Sequence, residues 1–272
     1  MFKGTLKTTG AVLIAAAMLA GCKGTSDTAD SGLVDQIMED NEAAVQTTAD
    51  TSKVDWLPDV DIHNFIMPEA GEKIAVITVK DYGEIKIKLF PEDAAKGVEN
   101  FVGLAEMGYY DELIFHRVIK DFMNQGGDPK GNGTGGKSMW GDSFDGGTSE
   151  HLYHFSGAVA YANSGATSTN GSQFYIVNTP DGYTSPTCAE LYTADPGSYN
   201  WPGNVAEMYN EKGGVPFLDG GYTVFGQVFE GMDVVRAIAE VETDQDKTND
   251  IPDDKPLTPV IIESVRIVEY EG

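Results

Sequence analysis

Arg117 follows Phe115 and His116, and a few residues on comes Phe122-Met123-Asn124-Gln125-Gly126-Gly127-Asp128. A guanidinium stays charged and presents several donors in one rigid plane. An arginine beside a cluster of apolar and amide side chains is therefore suited to holding and polarising a peptide, not to attacking it. Two later stretches use the same vocabulary of small, amide and aromatic residues: Gly157-Ala158-Val159-Ala160-Tyr161-Ala162-Asn163 and Asn170-Gly171-Ser172-Gln173-Phe174-Tyr175-Ile176. A fourth runs Phe217-Leu218-Asp219-Gly220-Gly221-Tyr222-Thr223-Val224-Phe225-Gly226-Gln227-Val228 and leads into Glu230-Gly231-Met232-Asp233-Val234-Val235.

In this order and near this spacing, the four segments resemble the cyclophilins, a family of peptidyl-prolyl cis/trans isomerases. The resemblance runs from about residue 73 to 268, with one insertion. It implies that Arg117 is the catalytic arginine and that Gln125 contacts the substrate backbone or positions Arg117. It also implies an apolar pocket for the proline ring made by Phe122, Met123, Tyr175 and Leu218. Ala162, Asn163 and Gln173 fall where the family binds the residues before the proline, Asn163 mainly through its backbone. Phe217, Tyr222 and Tyr175 stand at substrate-binding positions where the family often carries tryptophan, histidine and phenylalanine. Phe217 lacks an indole N–H donor, so weak cyclosporin binding is expected.

The implied reaction has a simple physical demand. Amide resonance makes an X-Pro bond interconvert over roughly tens to hundreds of seconds. A guanidinium donating toward the prolyl nitrogen favours the pyramidal form in which conjugation is lost. No nucleophile, metal or cofactor is required. A binding module of the same fold, holding proline-containing segments as a chaperone without turnover, is the main rival reading.

Positioning such a site requires a rigid scaffold. Residues 74–80 and 84–90 alternate apolar and polar around Asp81-Tyr82-Gly83, a hairpin pattern. Pro91-Glu92-Asp93 and the apolar positions Ala94, Val98, Phe101, Val102 and Ala105 predict a helix ending at Gly108. Short β-rich runs follow at 114–119, 154–161, 174–177 and 223–228, then a helix over 232–239 and a last strand over 260–268. Many strands, glycine turns and two substantial helices favour a mainly β closed barrel. The resemblance makes it an eight-stranded antiparallel barrel with two capping helices; periodicity alone leaves a sandwich open. The insertion, 179–216, contains a predicted helix near 205–212 ended by Gly213-Gly214. It lies just before Phe217 and Leu218, so it is expected to border the groove and shape client choice.

The chain opens with Lys3, Lys7 and an apolar run over 11–20, then Leu19-Ala20-Gly21-Cys22, the pattern of a secretory signal. Its ending resembles a bacterial lipobox. A membrane span needs roughly 20 apolar residues, and this run is far shorter. The expectation is a lipoprotein signal peptide over 1–21, lipid on Cys22, and a protein anchored to the cell membrane on its extracytoplasmic side. An ordinary secretion signal with an incidental cysteine is the alternative. Residues 22–70 read as an acidic tether: from Lys23 to Ala70 there are eleven acids against two lysines. A short helix is expected over 33–45, and 56–68 is apolar enough to dock on the isomerase domain expected over 71–272. Cys188 is the other of two cysteines, so no disulfide framework forms within the chain; it reads as a buried or incidental thiol.

A formal charge of −25 disfavours nucleic acid as a partner. The expected partners are proline-containing segments of exported proteins, met by a monomer that assists their folding. Gly131-Asn132-Gly133-Thr134-Gly135-Gly136-Lys137-Ser138 matches the phosphate-loop pattern letter for letter. Its flanks, Asp128-Pro129-Lys130 and Met139-Trp140-Gly141-Asp142, lack the strand and helix that such a loop must join. His63, His116, His151 and His154 do not have zinc spacing, and His116 reads as a hydrogen-bonded structural residue. Asp142, Asp145 and Glu150 lack calcium-loop spacing. A solute-binding lipoprotein would share the export signal but needs a two-lobed α/β pattern that is missing.

Overall fold

Strands β1 (Lys73–Val79) and β2 (Gly83–Leu89) form the hairpin that the alternation demands. The turn holds Asp81 at φ 67° and Gly83 at φ 125°, the second a conformation that glycine alone adopts readily. The computed structural model describes residues 54–244 and 254–272. The signal segment, Cys22 and the helix expected over 33–45 lie outside the described residues.

Helix α1 (Ala95–Glu106) turns Val98, Phe101, Leu104 and Ala105 inward. The remaining barrel strands are β3 (Ile114–Phe115), β4 (Arg117–Ile119), β5 (Met123–Gly126), β6 (Ala158–Tyr161), β7 (Phe174–Val177), β8 (Val224–Glu230) and β11 (Val260–Glu269). A two-stranded piece, β9 (Thr243–Asp244) with β10 (Lys255–Pro256), forms a separate ladder that packs beside β4. The nine-stranded sheet runs β3-β11-β1-β2-β8-β6-β7-β5-β4, and every pairing in it is antiparallel.

Its two ends are neighbours in the chain. Only His116 separates β3 from β4, so 114–119 is one bent strand whose first half pairs with β11 and whose second pairs with β5. That bend nearly closes the barrel, and it reconciles nine assigned strands with the eight expected. Helices α1 and α4 (Met232–Ala239) pack against the barrel strands. Fully buried Ile77, Ile85, Phe101, Phe115, Phe174 and Phe225 fill the interior, with Phe174 edge-on to Phe101.

Besides the two capping helices, two lie in the insertion: α2 (Cys188–Ala194), which was not expected, and α3 (Gly203–Lys212), which matches the helix expected near 205–212. The first has a full capping box between Thr187 and Glu190, a start signal present in the sequence. The insertion has its own apolar cluster of Cys188, Leu191, Tyr199, Trp201, Val205 and Tyr209, joined to Tyr153 and Phe155 beside the barrel. Trp56, Val60 and Ile62 pack on this cluster. Leu57 exchanges backbone hydrogen bonds with Trp201 and Gly203, and Asn204 bonds both backbone groups of Val60. The upstream segment is thus seated on the insertion, and further along it buried Asn64 reaches the barrel, donating to Gln227 of β8 at 3.0 Å.

Candidate active site

Strand period two brings the polar residues together. Arg117 and Gln125 face each other across β4 and β5, and Gln125 in turn sits opposite Tyr175 across β5 and β7. Directly opposed side chains in an antiparallel pair are close enough to interact. The Gln125 Nε2 donates to Gln173 Oε1 at 2.9 Å. Gln173 donates onward to the carbonyls of Gly133 and Gly135 at 3.0 and 2.8 Å. Gly127 ends this strand at φ 81°, and a Cβ there would lie 2.4 Å from the Ser172 carbonyl oxygen. A side chain at 127 would therefore push β5 off the segment carrying Gln173.

The same loop settles the fate of the phosphate-loop lookalike. The Asp128 carboxylate accepts from the amides of Lys130, Asn132 and Gly133 at 2.8, 3.0 and 2.7 Å. Those N–H groups are already turned onto a carboxylate, no helix follows the loop, and the loop's carbonyls brace Gln173.

The apolar residues converge equally. Met123, Ala162, Tyr175, Leu218 and Tyr222 belong to one buried cluster, with Phe122 and Phe217 packed against it. Met123, Tyr175 and Leu218 are at most 1% exposed, so they form the floor. Phe122 and Phe217 are half-buried and stack with ring centroids 5.8 Å apart, as a rim. Tyr222 stands edge-on to Tyr175 at 6.0 Å. The Asn163 side chain is occupied internally, donating to the Gly221 carbonyl and accepting from the Gly165 amide, both at 2.9 Å. That leaves its backbone as the part able to meet a peptide. The residues of the expected site thus lie on neighbouring strands and loops of the barrel.

Burial sets the electrostatics here. The Arg117 side chain is 11% exposed. Desolvation pulls its pKa below the usual arginine value, while Asp254 and Tyr222 pull the other way. Arginine nonetheless remains protonated. Burial pushes the Tyr222 phenol up to about 12 against the pull of Arg117, so Tyr222 is a neutral hydroxyl at the groove. Desolvation likewise raises the buried Tyr175 phenol well above the usual tyrosine value.

His116 departs from expectation. It is 4% exposed, and neither ring nitrogen has a hydrogen-bond partner among the described residues. Burial first, and then Arg117 and Lys255, lower its pKa from 6.5 to about 4 despite the attraction of Asp128. The imidazole is neutral at physiological pH and plays an apolar part at the bend between β3 and β4. Between pH 6.5 and 4 the unfolded chain takes up a proton that the folded one refuses, so stability falls as pH is lowered through that window. The expected contribution of His116 is on the order of 3 kcal/mol. Urea titrations at pH 7 and pH 4 check it: His116→Phe should lose less stability on acidification than the wild type by about that amount.

Sequence reasoning missed two features. Asp254 lies with Oδ2 3.5 Å from Arg117 Nε, although 137 residues separate them. Asp219 accepts from His154, Trp201 and Tyr209. Neither leaves a spacing pattern, because both are contacts between distant segments. His63 and His151 also meet, stacked 4.4 Å apart, while His63 Nδ1 bonds Asp93 at 2.8 Å.

Residues 74–267 match the family described as cyclophilin type peptidyl-prolyl cis-trans isomerase/CLD. A Staphylococcus aureus protein named provisionally as a peptidyl-prolyl cis-trans isomerase is 43% identical over 201 residues, 74% of this chain and 94% of that one. A Streptococcus pyogenes protein, named provisionally as a bifunctional phosphatase/peptidyl-prolyl cis-trans isomerase, is 42% identical over 215 residues. This chain spans 78% of its own length in that match but only 41% of the relative's. Among solved structures, a Cryptosporidium parvum cyclophilin type isomerase superposes with a TM-score of 0.53 at 28% identity, covering 73% of this chain and 98% of that one. A second crystal structure of that protein, in the presence of the dipeptide Ala-Pro, gives 0.52 at 27%, covering 72% and 99%.

Proposed function

The chain belongs to the cyclophilin-type peptidyl-prolyl cis-trans isomerases, and from that premise we propose that Arg117 is its catalytic residue, acting on X-Pro bonds of peptides seated in the groove. The supporting observation is the placement of a buried guanidinium opposite Gln125, beside an apolar floor of Met123, Tyr175 and Leu218. In water such a donor is well solvated and weak; in a desolvated site it acts more strongly on charge developing at the prolyl nitrogen. Donation to that nitrogen ties up the lone pair that gives the amide its partial double bond, and rotation becomes easier. No covalent intermediate is involved. Phe122 and Phe217 would grip the ring, and the backbone at Ala162 and Asn163 would hold the residues before it.

Magnetisation exchange on a short Ala-Pro-containing peptide, with the full chain at a small fraction of the peptide concentration, tests this reading. Cis/trans exchange should rise well above the uncatalysed rate. Cyclosporin added to the same sample should inhibit only weakly, because Phe217 offers no indole N–H. Binding of the peptide with unchanged exchange would make the groove a binding module instead.

We further propose that the enzyme works on exported proteins from a lipid anchor at Cys22. Lys3, Lys7, the apolar run and Leu19-Ala20-Gly21-Cys22 support this. One acyl chain anchors only marginally, so more than one chain on Cys22 is implied. In bacteria fed labelled palmitate, the wild type should carry label and sediment with membranes, and Cys22→Ser should do neither. Label retained by Cys22→Ser would overturn the anchor.

A further inference from the structure

Resting on the assignment of Arg117 above, we propose that Asp254 is a positioning residue for the isomerase reaction, holding one edge of the Arg117 guanidinium so that its other donors face the substrate. The Asp254 Oδ2 lies 3.5 Å from Arg117 Nε, with the two side chains 15% and 11% exposed. Both charges are therefore largely removed from water. A pair in that state is strengthened by the low dielectric, but breaking it leaves an uncompensated buried charge.

The carboxylate is delivered by backbone structure rather than by a free loop. The Val118 amide, next to Arg117 on β4, donates to the Asp254 carbonyl at 2.8 Å. Lys255, the following residue, pairs with Asp244 in the β9–β10 ladder, and the Leu257 amide donates to the Glu242 carbonyl at 2.9 Å. Asp254 itself takes φ 46°, a left-handed conformation that aspartate tolerates better than most residues. Ladder and left-handed turn together aim the carboxylate back at β4.

The consequence for Arg117 is directional. Its Nε edge meets Asp254, while Nη1 is buried with no hydrogen-bond partner among the described residues. An arginine has few orientations left once one edge is held in a planar fork. Reaction rate depends steeply on the angle at which such a donor meets the reacting atom. Gln125, the residue opposite on β5, is uncharged: its Nε2 donates to Gln173, and its Oε1 accepts from no group among the described residues. The anionic contact to Arg117 comes from Asp254.

The test measures catalysed exchange of the Ala-Pro peptide by the full chain carrying Asp254→Asn, Asp254→Glu, Arg117→Ala, or Arg117→Ala with Asp254→Asn. Asp254→Asn should lower kcat about tenfold with KM within about twofold, because an orientation is lost and not the groove. Asp254→Glu should recover part of the loss, and the Arg117 Nε–H resonance should shift in Asp254→Asn. In the Arg117→Ala background, Asp254→Asn should have no further effect. A wild-type rate in Asp254→Asn, or the same loss with and without Arg117, would overturn the proposal. Absence of acceleration by the wild type would instead overturn the catalytic reading of the groove, so the two failures are distinguishable.

Discussion

Arg117→Lys should lower catalysed exchange about a hundredfold, equivalent to about 2.7 kcal/mol in the barrier, while the chain stays folded. The charge is conserved, so a purely Coulombic role would survive the change. What disappears is geometry. Lysine offers a compact, strongly hydrated ammonium on a flexible stem, and it cannot meet Asp254 with one edge while presenting separate donors elsewhere. Arg117 is 11% exposed, and an ammonium at that depth faces a larger desolvation cost than the more weakly hydrated guanidinium. Removal of a preorganised donor from a water-poor site reduces rates by about 10²–10³ in comparable systems. Urea unfolding monitored at the same time separates this from collapse of β4. Exchange within about threefold of the wild type would reduce Arg117 to a local positive charge.

The residues of the proposed groove stood out in the sequence for a physical reason: they lie in short contiguous runs. Arg117, Phe122, Met123 and Gln125 lie on the bent strand, the turn after it and β5, and Gln173 and Tyr175 sit two apart at the start of β7. Such spacing survives in one dimension. The barrel's closure was harder, because the bend at His116 splits one β-rich run between β11 and β5, and only pairing partners reveal it. The desolvated state of His116 was not legible at all. Its sequence neighbours suggest a polar setting, whereas its spatial neighbours leave both ring nitrogens without partners. Helix α2 could have been read, since Thr187 and Glu190 spell its capping box; the prolines and turn residues around it obscured the signal. The docking of 56–68 was legible from its apolar residues, but the acidic composition around them gave no sign that the insertion is what they meet. Trp56, Val60 and Ile62 are few among many charges, yet they meet the insertion's aromatic cluster.

The insertion's attachment to the groove leads to the second large effect. Asp219→Ala should destabilise the protein by about 3–5 kcal/mol, and Asp219→Asn by about half as much. One oxygen of Asp219 accepts from the His154 amide at 3.0 Å and from His154 Nδ1 at 2.7 Å. The other accepts from Trp201 Nε1 at 2.8 Å and Tyr209 Oη at 2.7 Å. Truncation strands donors from three residues in a site where Trp201 and Tyr209 are at most 3% exposed, and each buried orphan costs about 1–3 kcal/mol unless water reaches it. Asparagine keeps one acceptor but turns an NH₂ toward one pair of donors. Against a typical total stability of about 5–15 kcal/mol, the alanine variant would lose a large share, read as a lower urea midpoint with Trp201 among the fluorescent reporters. The effect should also reach the groove. Phe217 lies two residues before Asp219, stacks on Phe122, and packs against both the groove cluster and the insertion cluster. KM for the peptide should therefore rise in Asp219→Ala at temperatures where the chain is still folded, with kcat less affected because Arg117 and Asp254 sit outside the network. Unchanged stability and unchanged KM would mean that the insertion rests on the barrel without bracing the groove's rim.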